Sequence, residues 1–127
     1  MKEQFCSYEI ALALKELGFN EGCFASFYKD DKVKEIVSEK WYDNNNHRLP
    51  DYKIAAPLWQ QVIDFFREKY KMEVAATPVY LNEAIGVTKV DSYLPFVDGD
   101  YLEDECETFY EAREKAVLKA IELCKKN

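Results

Sequence analysis

His47 is the chain's one histidine, and Cys6, Cys23, Cys106 and Cys124 are its four cysteines, so nucleophilic, general-base or metal chemistry would have to draw on these positions. His47 falls in Asp43-Asn44-Asn45-Asn46-His47-Arg48-Leu49-Pro50, where consecutive Asn residues favour turns and Pro50 forbids a continuing helix. Catalytic residues often sit on such loops, and an imidazole titrates near neutral pH. No Ser or Cys motif supplies a nucleophile beside it, however, and a solvated surface histidine accounts for the position. The cysteines form no C-x-x-C pair and, with one histidine, complete no metal set, so neither a metal nor a cofactor is expected. Nothing indicates secretion, and free thiols are expected. Cys124 lies beside Val117 and Ala120 on a helical stripe and reads as a small buried apolar residue.

Carboxylates are abundant, and the densest run is Asp98-Gly99-Asp100-Tyr101-Leu102-Glu103-Asp104-Glu105-Cys106-Glu107. Numbered as a calcium loop from Asp98, it puts Leu102 at position five, Glu103 at six and Phe109 at twelve, where an oxygen ligand, a glycine and a glutamate are required. The motif fails, and a solvated acidic loop leading into a helix N-terminus fits better, because negative charge suits that end of the dipole. A carboxylate-pair hydrolase needs two acids at a defined separation, and no spacing here marks a pair. The four glycines form neither a dinucleotide-binding nor a P-loop pattern. Trp41-Tyr42, adjacent to the Asn-rich loop, is the most suggestive aromatic pair. On a strand the two rings face opposite ways, and one reaching solvent near Arg48 would suit a protein contact. Trp41, Tyr42, His47 and Arg48 therefore form the candidate contact surface, although both rings covering the edge of the core is the plainer explanation of the pair.

The elements that would hold these residues follow from periodicity and caps. Ser7 to Leu17 reads as a helix, with Ser7 as cap, Ile10, Leu14 and Leu17 at helical spacing, and Gly18 as stop. Cys23–Tyr28 and Val33 to about Tyr42 read as two strands joined through Lys29-Asp30-Asp31-Lys32. Pro57 opens a helix to about Lys71 whose stripe is Trp59, Val62, Ile63, Phe66 and Tyr70. Val74–Leu81 and Ile85–Tyr93 form a second strand pair, with Pro78 marking an edge or bulge. Residues 94–107 read as irregular. Thr108 and Glu111 make a capping box for a last helix, Phe109 to Lys125.

The expected fold is α+β in the order α-β-β-α-β-β-α, an antiparallel sheet of two hairpins with three helices packed on it, in one domain over residues 1–127. A chain of 127 residues, 48% hydrophobic and 15% aromatic, has material for a core without disulfides. The formal charge of −7 disfavours nucleic acid and anionic membranes as ligands. No signal peptide or membrane span is visible, so a cytoplasmic location is expected.

Three phrases carry a resemblance: Ser7–Phe19; Ala56-Pro57-Leu58-Trp59-Gln60-Gln61-Val62 running on through Phe66–Tyr70; and Phe109-Tyr110-Glu111-Ala112-Arg113 through Ile121. Together they are similar to a family of small uncharacterised proteins from gut Bacteroidetes and their phages and mobile elements. The resemblance implies a phage or mobile-element setting, where small acidic proteins often act by binding another protein. It brings no catalytic residues. The expected function is a non-enzymatic accessory protein working through protein contacts, alone or as a homo-oligomer. A small enzyme using His47 and nearby carboxylates is one alternative, and an acidic nucleic-acid mimic is another.

Overall fold

The computed structural model describes residues 4–30, 36–38, 46–82 and 88–126. Its chain clusters into two compact units, Met1–Phe65 and Phe66–Asn127. The class is α+β, and every strand pair among the described residues is antiparallel. Hydrogen bonding, however, divides the strands into two three-stranded sheets instead of one.

In the first unit, α1 (Tyr8–Glu16) begins where Ser7 accepts the Ile10 amide at 3.4 Å. It ends in a Schellman closure: Phe19 N–H donates to Leu14 O, and Gly18 N–H to Lys15 O. That turn places Gly18 at φ 93°, a left-handed angle glycine adopts without a Cβ penalty. Strand β1 (Ala25–Tyr28) is central, with β2 (Ile36–Ser38) and β3 (Lys53–Ala56) on either side. Strand β3 was not expected, because Lys-Ile-Ala-Ala carries little strand signal; its pairing with Ala25–Tyr28 creates it. Ile10, Leu14, Phe19, Ile54 and Val62 are fully buried.

Helix α2 (Trp59–Tyr70) starts two residues later than Pro57 predicts. Pro57 is instead buried, its carbonyl accepting the Cys6 amide at 3.0 Å, while Phe5 bridges Leu58. Leu58 becomes the cap position, and Gln61, three residues on, accepts the Leu58 amide at 3.0 Å, as the second half of a capping box does. At its other end Lys71 takes φ 56°, and the Met72 amide closes on Phe66 O.

In the second unit, β4 (Val74–Asn82) pairs with β5 (Thr88–Val97), with a register shift between Val79 and Tyr80. Strand β6 (Asp100–Tyr101) follows through Asp98-Gly99, both at positive φ (50° and 95°), the two-residue turn whose twist suits a hairpin. The segment expected to be irregular is therefore sheet at its start. Strand β6 stops after two residues for a chemical reason. The Leu102 amide donates to Pro95 O, but buried Pro95 has no N–H to return. Pairing resumes only at Tyr93 and Cys106, which exchange both backbone bonds at 2.8 Å. Glu103, Asp104 and Glu105 are extruded between these two anchor points.

Helix α3 (Phe109–Lys125) occupies the range its capping box predicts, and Thr108 accepts the Glu111 amide at 3.1 Å. It packs on β4 and β5 through Ala112, Ala116, Val117, Ala120, Ile121 and Cys124. No described helix is long and apolar enough to cross a membrane.

Candidate functional site

Of the four residues expected to form a contact surface, Trp41 and Tyr42 lie outside the described residues. His47 and Arg48 are exposed in a turn. The position in that loop with the clearest structural duty is the neighbouring Asn46. Its Nδ2 donates to Phe19 O at 2.9 Å, and its Oδ1 accepts the Ala55 amide at 2.9 Å. His47 contributes its own amide, which donates to Asn20 Oδ1 at 3.3 Å. Strand alternation turns the Lys53 and Ala55 amides away from β1, and Pro50 O and Asn46 Oδ1 receive them. The Asn-rich loop is thus a lock on the outer edge of β3.

The thiols are placed against nucleophilic use, since all four cysteines are free and buried. Burial raises the Cys6 pKa far above its ordinary value, with the nearby Cys23 adding to the effect. Burial likewise pushes the Cys23 thiol up to about 12, with Glu21 adding and Gln61 opposing. Cys124 is raised by burial, and Lys69 works against the shift. A thiolate is therefore scarce at neutral pH. Among the described residues no group of three His, Cys, Asp or Glu side chains is arranged to hold a metal.

The surface is more informative than the interior. Exposed aromatics occur on the first unit at Phe24, Tyr28 and Tyr52, where the Lys53 ammonium lies 5.5 Å over the Tyr28 ring. On the second unit Tyr80 is exposed on β4, and Phe109 and Tyr110 are exposed at the start of α3. Phe109 stands edge-on to Tyr93 (5.9 Å) and to Tyr110 (5.7 Å), and the Arg113 guanidinium lies 5.2 and 5.3 Å from the Phe109 and Tyr110 ring centres. Phe109 and Tyr110 remain 39% and 55% exposed, although their rings are held in place. Tyr101, packed on Phe96 at 5.2 Å, is 57% exposed.

Charge is concentrated in the same stretch. Residues 98–111 carry seven of the chain's 24 acidic side chains and no Lys or Arg, while the remaining 17 acids equal the 17 basic residues. The entire formal charge of −7 therefore resides in these 14 positions. All seven acids (Asp98, Asp100, Glu103, Asp104, Glu105, Glu107 and Glu111) are exposed. The sequence showed an acidic run; the extrusion of residues 103–105 depends on the Leu102–Pro95 bond and on the Tyr93–Cys106 bridge.

No family model matches the chain, no curated protein matches it, and no solved structure matches it.

Proposed function

We propose that this protein is a non-enzymatic, cytoplasmic accessory protein of the phage or mobile-element type, and that it acts by holding a basic surface of another protein. The observation carrying this reading is the coincidence of the whole net charge with the exposed rings of Tyr101, Phe109 and Tyr110. Tyrosine and phenylalanine held by their neighbours lose little side-chain entropy on binding, and such rings anchor interfaces. Carboxylates around them steer a cationic partner and reject anionic ones. The first helical turn of α3 benefits from Glu111, but dipole stabilisation does not reach the earlier residues 98–105.

A photo-crosslinking phenylalanine derivative replacing Tyr110 tests the reading in cells of the native host. Partners should crosslink there, and the crosslinks should vanish in a Glu103→Gln, Asp104→Asn, Glu105→Gln variant. Crosslinks that form only from a probe in the turn at His47 and Arg48 would move the contact to the first unit. A turnover assay in which His47→Ala abolishes activity would replace the reading with an enzymatic one.

A further inference from the structure

We infer that the rings of Phe109 and Tyr110 form a guanidinium seat, which Arg113 fills in the free protein and an arginine of the basic partner takes over in the complex. This rests on the acidic face being the partner's docking surface. Three residues of one helix build the seat. In α3, Arg113 stands four positions after Phe109 and three after Tyr110, and helical side chains lean back toward the N-terminus, so its head reaches both rings. The Arg113 guanidinium carbon lies over the Phe109 ring at 5.2 Å and over the Tyr110 ring at 5.3 Å. Both distances fall inside the roughly 6 Å over which a ring face attracts a cation. The rings stand at 80° to each other with centres 5.7 Å apart, and Tyr93 of β5 braces Phe109 at 5.9 Å. One wall of the seat is therefore anchored to the sheet independently of Arg113.

Charge selects a second cation as the occupant. Over residues 98–114 the chain has eight carboxylates and one base, Arg113, so Arg113 leaves most of this charge for a partner to answer. Phe109 and Tyr110 are exposed with Arg113 in place, so ring surface is open to an incoming side chain. Arg113 is itself half-buried, and that burial holds its pKa below the ordinary value, with Tyr110 acting against the shift. Leaving the rings returns this guanidinium to water, which offsets part of the lost ring contact. Chemistry favours arginine over lysine as the replacement. A guanidinium is planar and weakly hydrated, stacks on aromatic faces, and offers parallel N–H groups to a carboxylate. An ammonium is compact and strongly hydrated. Exposed Glu107 and Glu111 flank the two rings in sequence and supply such carboxylates. Arg113 is thus an internal competitor that sets how tightly the face holds an arginine.

The probes are an alternating glycine–arginine peptide and a glycine–lysine peptide of the same length and charge, titrated into the full chain at low salt by calorimetry and NMR. The arginine peptide should bind about threefold more tightly than the lysine peptide. As it binds, the Arg113 Hε resonance, displaced by the ring currents of Phe109 and Tyr110, should move toward that of free arginine. Arg113→Met removes the competitor and should widen the preference to about tenfold. Lys115→Met removes the same charge from an exposed position on the same helix and should leave the preference as it is in wild type. Phe109→Leu combined with Tyr110→Leu should abolish the preference while salt-dependent binding persists. Equal affinity for the two peptides in wild type and in Arg113→Met, or an Arg113 resonance unmoved at saturation, would overturn the inference and leave the basic-partner reading standing. Failure of both peptides to bind at low salt would overturn both.

Discussion

Replacing Asn46 by alanine separates a structural account of the Asn-rich loop from a catalytic one. The substitution removes two hydrogen bonds, one to Phe19 O and one from the Ala55 amide. Both partner residues are buried, at 1% and 0% exposure, so water does not readily replace the lost side chain. A buried backbone group left without a partner costs about 1–3 kcal/mol, and two such groups with partial relaxation give about 2–4 kcal/mol. With a urea m-value of about 1.5–2 kcal/mol/M, the unfolding midpoint should fall by roughly 1–3 M. Trp59, 8% exposed, provides the fluorescence signal, and hydrogen exchange at the Ala55 amide gives a local readout that does not depend on two-state unfolding. His47→Ala, one residue away on an exposed side chain, should stay within about 0.5 kcal/mol of wild type. Equal small effects from both substitutions, with Ala55 exchange unchanged, would refute the lock.

Other outcomes follow from the same geometry. Lys71→Gly relieves a left-handed lysine at φ 56° (about 1–2 kcal/mol) and pays back part in unfolded-state entropy (about 0.5–1 kcal/mol), so thermal unfolding should show a net gain of about 0.5–1 kcal/mol. Arg67 grips Glu73 through two bonds, Nε to Oε1 at 2.8 Å and Nη2 to Oε2 at 3.0 Å, which hold the carboxyl below its ordinary pKa. Because the folded pKa is the depressed one, this contact stabilises the fold above the unfolded carboxyl pKa and is lost as pH falls through the folded value. A carbon-detected NMR titration should show Glu73 moving upward in Arg67→Ala; an unchanged titration would discard the ion pair. The four buried thiols should react with a disulfide reagent on the order of 100-fold more slowly in native than in denatured protein, and a fast native thiol would contradict their placement.

What the sequence made legible was local. Ser7 and Thr108 each bond an amide three residues away, so their helices could be read to within a residue of their ends. Pro78 marked a strand that does lie on an edge beside a register shift. Where the deciding contact was distant, the reading failed. Pro57 reads as a helical first residue, yet its carbonyl is engaged by Cys6, fifty-one positions earlier, and the helix begins at Trp59. Strand β3 exists through its pairing with β1, and a one-sheet arrangement of hairpins cannot be told from two sheets by strand pattern alone. Asp98-Gly99 was a hairpin signal in plain view, masked by the charge around it. In the Asn-rich loop the eye goes to His47 for its chemistry, whereas Asn46 matters for a reason only Phe19 and Ala55 reveal.

The acidic, aromatic stretch over residues 98–111 is the proposed working surface of the protein. Once a partner has been identified by crosslinking at position 110, its affinity should be measured against salt for wild type and for the Glu103→Gln, Asp104→Asn, Glu105→Gln variant. The wild-type affinity should fall steeply with added salt, and the variant should bind more weakly with a visibly shallower slope. Equal affinities and parallel slopes would show that these carboxylates do not meet the partner.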